Sequence, residues 1–196
     1  NRVLERGGTV RILTPDLKKI SSIAQNHGIK LIEDASHAYG SRFNGQYLGT
    51  LFDAGAISMQ AGKPLPAGEG GLFLTQDSEI YERAILLGHY ERIDEIRNSY
   101  SEYRKTGLGY KHRISPLCAA LAHSYLENYP TVSRKENELM NSFCSGLDSI
   151  QGFRLVYGMD GLDTRAGFFS VRIISDVNML KSSTDQVIRA LRGENI

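Results

Sequence analysis

The chain has 196 residues, and its 23 Lys and Arg nearly balance its 22 Asp and Glu, which leaves a net charge of +1. This balance argues against a nucleic-acid or membrane-surface binder, because such proteins attract their partners through one sign of charge. Hydrophobic residues make up 41% of the chain, enough for a buried core. The two cysteines form no CxxC pair and no apolar run is long enough to span a membrane, so we expect a cytoplasmic protein without a metal centre.

Helix and strand patterns alternate in the first half of the chain. Thr14 and Pro15 predict the start of a helix, as N-cap and first helical residue, and Gly28 predicts its left-handed end. Short apolar runs then predict three strands: one at residues 29–32 that ends at Glu33-Asp34-Ala35, one at 54–59 and one at 71–75. This alternation predicts an α/β fold with a mainly parallel sheet.

Two helices and a connection are predicted next. One helix follows the third strand, from Ser78 to about Leu87. The charged stretch at residues 89–105 has weak periodicity, which is typical of an irregular connection. Ser115-Pro116 then predicts the start of a helix whose apolar stripe runs from Ile114 to Tyr125.

Pro130 is expected to interrupt that helix, because proline lacks the N–H of a helix interior. Ser133 and Glu136 have the spacing of a capping box for a second helix. We therefore place a boundary here, with a large-domain portion at 1–129 and a small α+β portion at 130–196.

The small portion is predicted to contain two strands and a final helix. The strands are expected at residues 153–157 and 167–173. The helix is expected to start at Ser183, with Gln186 in capping-box register.

Three chemically useful side chains lie at or just beyond the ends of predicted strands: Asp34, Ser58 and Lys63. In open α/β sheets, ligands bind outside the carboxyl ends of the strands. Pyridoxal 5'-phosphate needs a lysine for a Schiff base, a carboxylate against its pyridine nitrogen, and hydroxyl or N–H donors for its phosphate. The three side chains match these needs, so they predict a pyridoxal phosphate site.

Three motifs surround these residues: Glu-Asp-Ala-Ser-His-Ala at 33–38, Ser-Met-Gln-Ala-Gly-Lys at 58–63 and Gly-Glu-Gly-Gly at 68–71. They resemble the motifs of the DegT/DnrJ/EryC1/StrS family of sugar aminotransferases. The family pattern runs Glu-Asp-Ala-Ala-Gln-Ala, then a serine five residues before the lysine, then Gly-Glu-Gly-Gly. Gly-Tyr-Lys-His-Arg-Ile at 109–114 is similar to the family's Gly-Tyr-Asn-Tyr-Arg-Met. The resemblance implies part of an α/β/α large domain of the aspartate aminotransferase type.

The resemblance also implies a role for each site residue. Asp34 should pair with the pyridine nitrogen, Ser58 should hold the phosphate, and Lys63 should form the Schiff base. His37 replaces a glutamine that contacts the cofactor's phenolic oxygen. Lys111 replaces an asparagine that reaches the phosphate of the partner subunit, so a homodimer is implied.

The implied reaction is transamination of a nucleotide-linked keto-sugar or a keto-cyclitol, with glutamate or glutamine as the donor. A related dehydratase branch carries histidine in place of the lysine, so Lys63 favours transamination. Only 33 residues precede Asp34, and about half of a usual family member is not covered, including its Gly/Ser-Thr phosphate loop. The alternative is therefore a truncated, non-catalytic remnant that serves as a binding or dimerisation module.

Overall fold

The computed structural model describes residues 16–89, 92, 94, 110–155, 162–164 and 173–194. Helices and strands are mixed along the chain, as expected of a partial α/β fold. In chain order they are α1 (Leu17–Asn26), β1 (Ile32–Asp34), β2 (Arg42–Phe43), β3 (Gln46–Tyr47), β4 (Ala54–Ser58), β5 (Gly71–Leu74), α2 (Ser78–Gly88), α3 (Pro116–Asp148), β6 (Phe153–Leu155), β7 (Leu162–Thr164), β8 (Ile173–Ser175), α4 (Val177–Leu180) and α5 (Thr184–Gly193). Most of the predicted connection at 89–105, and residues 167–172 of a predicted strand, lie outside the described residues.

Helix α1 starts later than the sequence pattern predicts. Its N-cap is Asp16, whose side chain accepts a hydrogen bond from the Lys19 N–H at 2.9 Å. Thr14 and Pro15, the predicted cap and first helical residue, lie outside the described residues; in the described part of the chain the Asp16 carboxylate satisfies a free N–H of the first turn. Gly28 follows the helix with φ +61°, which confirms the predicted left-handed end.

A three-stranded sheet in the order β1-β4-β5 carries the predicted site residues. Strands β1 and β4 are parallel, and Asp34 lies opposite Ala56. Strands β4 and β5 are antiparallel, and Ser58 lies opposite Gly71. All three predicted strands are present, although β1 starts at Ile32, three residues later than predicted.

The small hairpin of β2 and β3 is not among the elements predicted from the sequence. Its turn residues Asn44 and Gly45 both have positive φ, at 47° and 79°, as a two-residue type I′ turn requires. An Asn-Gly pair between short strands is the sequence signal that predicts such a hairpin. Strand β2 also pairs with β7 from the distant end of the chain, a contact that no local pattern indicates.

Helix α3 runs through Pro130 without a break, over 33 residues. The predicted interruption and the capping box at Ser133 and Glu136 are therefore wrong, since both residues lie inside the helix. The helix does begin where predicted, at Ser115 and Pro116. The division into portions 1–129 and 130–196 stays a prediction, and α3 would belong to both.

The end of the chain forms a second α+β layer. Strands β6 and β8 pair antiparallel, and α3 packs against β6. Helix α5 has the predicted capping box, with Ser183 and Gln186 bonded to each other's backbone N–H. Across the part of the chain that the structure describes, no helix has both the length and the apolar content for a membrane crossing.

Candidate functional site

Asp34 is the last residue of β1, and its exposed side chain lies at the carboxyl end of the sheet. Its Oδ1 atom accepts hydrogen bonds from both the backbone N–H and the hydroxyl of Ser36, the former at 3.1 Å. Ser36 is not among the predicted site residues. The signal was available, because Asp commonly binds the backbone N–H two residues further on in such turns.

Asp34 and Ser58 lie on the same face of the sheet. Asp34 is opposite Ala56, and Ser58 is two residues beyond Ala56 along β4, so all three side chains point to one side. Strand spacing of about 4.8 Å and a rise of about 3.3 Å per residue put the Cα atoms of Asp34 and Ser58 roughly 8 Å apart. Only one small side chain, that of Ala56, therefore lies between the carboxylate of Asp34 and the hydroxyl of Ser58.

This face of the sheet is open to a planar ligand. Ala56, between the two polar groups, is exposed, and so are the neighbouring Ile32 (73%) and Phe73 (49%). Gly71, opposite Ser58, adds no side chain. A carboxylate at one end, a hydroxyl at the other and an alanine between them fit an aromatic ring with an acidic ring nitrogen and a phosphate arm.

Lys63 lies on the loop that leaves the same end of β4, five residues beyond Ser58. Gln60 shapes the turn before it: its side-chain oxygen accepts from the Gly62 N–H at 2.8 Å, and its carbonyl accepts from the Lys63 N–H at 2.9 Å. The Gln60 N–H in turn lies 3.3 Å from the Ser58 hydroxyl oxygen. The lysine and the serine are thus joined by a continuous set of short-range hydrogen bonds.

The two halves of the 59–70 loop are tied together by backbone hydrogen bonds. Met59 and Ala61 donate to the carbonyls of Gly70 and Gly68, at 2.9 and 2.8 Å. Gly70 has φ +152°, and a Cβ there would lie 2.9 Å from the Ile114 side chain. Gly70 therefore serves backbone geometry, since no other residue fits that position without strain.

Helix α3 anchors both site loops. Met59, Leu65 and Ala67 from the lysine loop form a buried cluster with Ala122 of α3, and Tyr39 packs against it. The Tyr129 hydroxyl donates to the Tyr39 carbonyl at 2.8 Å, and the two rings meet edge to face at 4.8 Å. Burial raises the pKa of Tyr129 to about 12, so the phenol remains a donor through the physiological range.

His37 and Lys111 occupy two different places. His37 is exposed in the turn that follows β1, three residues beyond Asp34. Lys111 is exposed and forms an isolated antiparallel bridge with His89, at the end of α2. The structure therefore groups Asp34, Ser58, Lys63 and His37 on the segments that leave the carboxyl ends of β1 and β4, while Lys111 lies on the segment before α3.

Glu33 supports the sheet from the opposite face to Asp34. Its carboxylate accepts from the Leu51 N–H at 3.2 Å, and the loop that contains Gly49 packs against Ala35 and Ile57 on that side. Burial raises the pKa of Glu33, and the N–H groups of Gly49 and Leu51 oppose the change. Through these hydrogen bonds the half-buried Glu33 connects the strand that ends in Asp34 to the loop at residues 49–51.

A second polar cluster lies at the other end of the sheet. Lys30 bridges Asp53 and Asp77, at 2.9 and 3.3 Å, beside an open depression of about 730 Å³. The hydrogen bond from the Leu31 N–H has the largest effect on the pKa of Asp53 and lowers it below its usual value; the hydrogen bond from Lys30 lowers it further. Because this cluster joins the starts of β1, β4 and α2, we interpret it as structural.

Comparison with known proteins identifies the family. The model of the DegT/DnrJ/EryC1/StrS aminotransferase family matches residues 13–196. The chain belongs to this family. The chain spans about half or less of the length of the curated relatives it matches, for example 43% of one and 47% of another.

The names of those two relatives indicate different biosynthetic roles. A putative L-glutamine:3-amino-2,3-dideoxy-scyllo-inosose aminotransferase of Streptomyces kanamyceticus is 30% identical over 92% of this chain and 43% of its own. The spore coat polysaccharide biosynthesis protein SpsC of Bacillus subtilis is 28% identical over 91% of this chain and 47% of its own.

Solved structures share the fold. DesV of S. venezuelae, in complex with a ketimine intermediate, matches with a TM-score of 0.72 and 25% identity, over 91% of this chain and 44% of its own. An E. coli GDP-4-keto-6-deoxy-D-mannose-3-dehydratase with bound hydrated PLP also matches with a TM-score of 0.72, at 19% identity, over 92% and 48%. These matches confirm the predicted partial fold of a PLP-dependent transferase.

Proposed function

We propose that this chain forms the cofactor-binding part of a PLP-dependent aminotransferase that acts on a nucleotide-linked keto-sugar or a keto-cyclitol. The observation that carries the proposal is the shared, open sheet face of Asp34 and Ser58, with Lys63 on the loop leaving the same strand end. The names of relatives support the substrate class and a glutamine or glutamate donor.

Each side chain would have a distinct task toward the cofactor. Asp34 would hold the proton on the ring nitrogen, and the Ser58 hydroxyl would donate to the phosphate. Lys63 would hold the aldehyde carbon and, once displaced, would move a proton as a general base and acid. His37 would donate to the phenolic oxygen. When bound, the cofactor supplies the electron sink that amino transfer requires.

The lysine distinguishes between two reactions that this fold carries. One matching structure is a dehydratase, and the fold alone does not separate it from an aminotransferase. In the family resemblance, dehydratases carry histidine at the position of Lys63. The lysine therefore supports transamination over dehydration.

The same geometry can be tested on the protein as it stands. Purified protein is incubated with PLP, reduced with borohydride and mapped by peptide mass spectrometry. We expect one reduced adduct, on Lys63, and a visible absorbance band that disappears in Lys63→Ala. Lys135→Ala, at an exposed site on α3, is the matched control and should keep the band.

The outcome separates the proposal from its alternative. Adducts scattered over exposed lysines, or an equal band in Lys63→Ala, would favour a non-catalytic binding or dimerisation module. The observation that supports this alternative is the open, partly apolar sheet face, where Ile32 is 73% exposed.

We also propose a homodimer in the cytoplasm. Lys111, as an exposed cation on the segment before α3, would reach the phosphate in the partner subunit's site. Both cysteines, Cys118 and Cys144, are free thiols, as in reducing compartments. Sedimentation equilibrium tests the assembly: a dimer is expected, and a monomer at all concentrations would remove the role of Lys111.

A further inference from the structure

The carboxylate of Asp34 accepts two hydrogen bonds from one residue, Ser36. The Ser36 N–H and the Ser36 hydroxyl both donate to Oδ1, and neither donor points to Oδ2. Two donors on one oxygen fix the rotation of the carboxylate, and with it the direction of Oδ2. They also stabilise the negative charge, because hydrogen bonds to an ionised acceptor are stronger than neutral ones.

The turn itself does not depend on the Ser36 hydroxyl. Its backbone is closed by Ala38 N–H to the Ala35 carbonyl at 3.0 Å and by Ser41 N–H to the Ala38 carbonyl at 2.9 Å. The Ser36 N–H would still bind Asp34 without the hydroxyl. The family pattern also carries alanine at this position, so the hydroxyl is an addition rather than a requirement of the fold.

The geometry points to Ser36 as a positioning residue: its hydroxyl orients the Asp34 carboxylate and keeps it ionised for the cofactor's ring nitrogen. This inference rests on the proposed function, since it is useful only where a ring nitrogen meets Asp34. Ser36 acts through Asp34 and needs no contact with the cofactor. Its loss should therefore weaken cofactor binding while leaving the fold intact.

The first measurement is cofactor affinity. We expect Ser36→Ala to bind PLP roughly three- to tenfold more weakly than wild type, about the net effect of one ordinary hydrogen bond, because Ser36 acts on the cofactor only through Asp34. Ser36→Thr restores the hydroxyl and should bind within about twofold of wild type. Ser22→Ala, which removes an exposed hydroxyl on α1, is the matched control and should leave the affinity unchanged. Thermal unfolding of all variants without cofactor should coincide.

The second measurement needs no cofactor. In protein with ¹³C-labelled aspartate, the Asp34 carboxyl signal is followed through an acid titration. We expect its midpoint at higher pH in Ser36→Ala than in wild type, because a donor to the anion is lost. An unchanged midpoint would show that the Ser36 hydroxyl does not stabilise the Asp34 anion, and would contradict the inference.

The outcomes distinguish this inference from the proposed function. Equal PLP affinities and equal midpoints in wild type and Ser36→Ala would overturn the inference alone. No uptake of PLP by the wild-type chain would overturn both. Weaker affinity with a raised midpoint, rescued by Ser36→Thr, would support both.

Discussion

The sheet region and the long helix bury their residues very differently. Among the described residues, eight of the ten buried hydrophobic side chains lie between Ala24 and Ile85, and only Ala122 and Leu155 lie beyond residue 110. Strands that pair in a sheet bury side chains against loops on one face, whereas α3 presents Leu117 at 82% and Leu139 at 71% exposure. The stability of this chain is therefore concentrated around the strands that carry the candidate site.

Glycine substitutions should separate the two regions most strongly. A Cβ on Gly55 in β4 would lie 1.9 Å from the Gly49 carbonyl oxygen, so Gly55→Ala must displace backbone and should destabilise by about 3 kcal/mol or more. Gly146 in α3 has open space around it, and Gly146→Ala should stabilise by roughly 0.5–1 kcal/mol. Urea denaturation of both variants checks this. If both variants changed the free energy of unfolding by the same amount and in the same direction, the two regions would not differ as described.

Truncation of apolar side chains should give the next largest difference. Ile57 is 7% exposed, and a Cβ added to Gly49 would lie 3.4 Å from its side chain, so Ile57→Ala should cost about 2–3 kcal/mol. Leu139→Ala, at 71% exposure, should change stability by less than about 0.5 kcal/mol. Chemical denaturation measures both. A large loss for Leu139→Ala would mean that α3 is covered in solution.

The contact between the regions can be weakened at one atom. Tyr129→Phe removes the hydroxyl that donates to the Tyr39 carbonyl and keeps the ring contact, so it should cost about 1 kcal/mol. Tyr125→Phe, on an exposed part of α3, serves as the control and should have no effect. Hydrogen exchange in the 35–41 turn should accelerate in Tyr129→Phe alone. Unchanged exchange there would argue against α3 as an anchor of the site.

The smallest effect concerns pH. Because burial raises the pKa of Glu33 in the folded chain, the folded state holds this proton more tightly than the unfolded state. Stability is therefore lost as pH rises from the ordinary value of 4.5 through the folded pKa. Glu33→Gln has no such proton, so its stability relative to wild type should increase across that window. Thermal melts at several pH values test this, and a difference that stays flat with pH would contradict it.

Much of the site could be predicted because its motifs are local. Asp34, Ser58 and Lys63 lie at or just beyond the end of a strand whose apolar run is visible in the sequence, and the ends of strands and their turns depend on neighbouring residues. The face that they share could not be predicted, since it depends on the register of Asp34 against Ala56, twenty-two positions away. Ser36 was missed although the Asp turn signal was available, whereas Gln60 was missed because its role depends on where its side chain points.

The sequence by itself determined the family, through its motifs, and the α/β alternation, through its apolar runs. It also determined the left-handed conformation of Gly28 and the capping box at Ser183, because these depend on contacts a few residues apart. Only the tertiary structure decided that α3 continues through Pro130. A proline costs a helix about 3 kcal/mol, and contacts such as that of Tyr129 with Tyr39, ninety residues earlier, oppose that local preference. Interactions between distant segments outweigh local propensity wherever they bury enough surface, and no local pattern reports them.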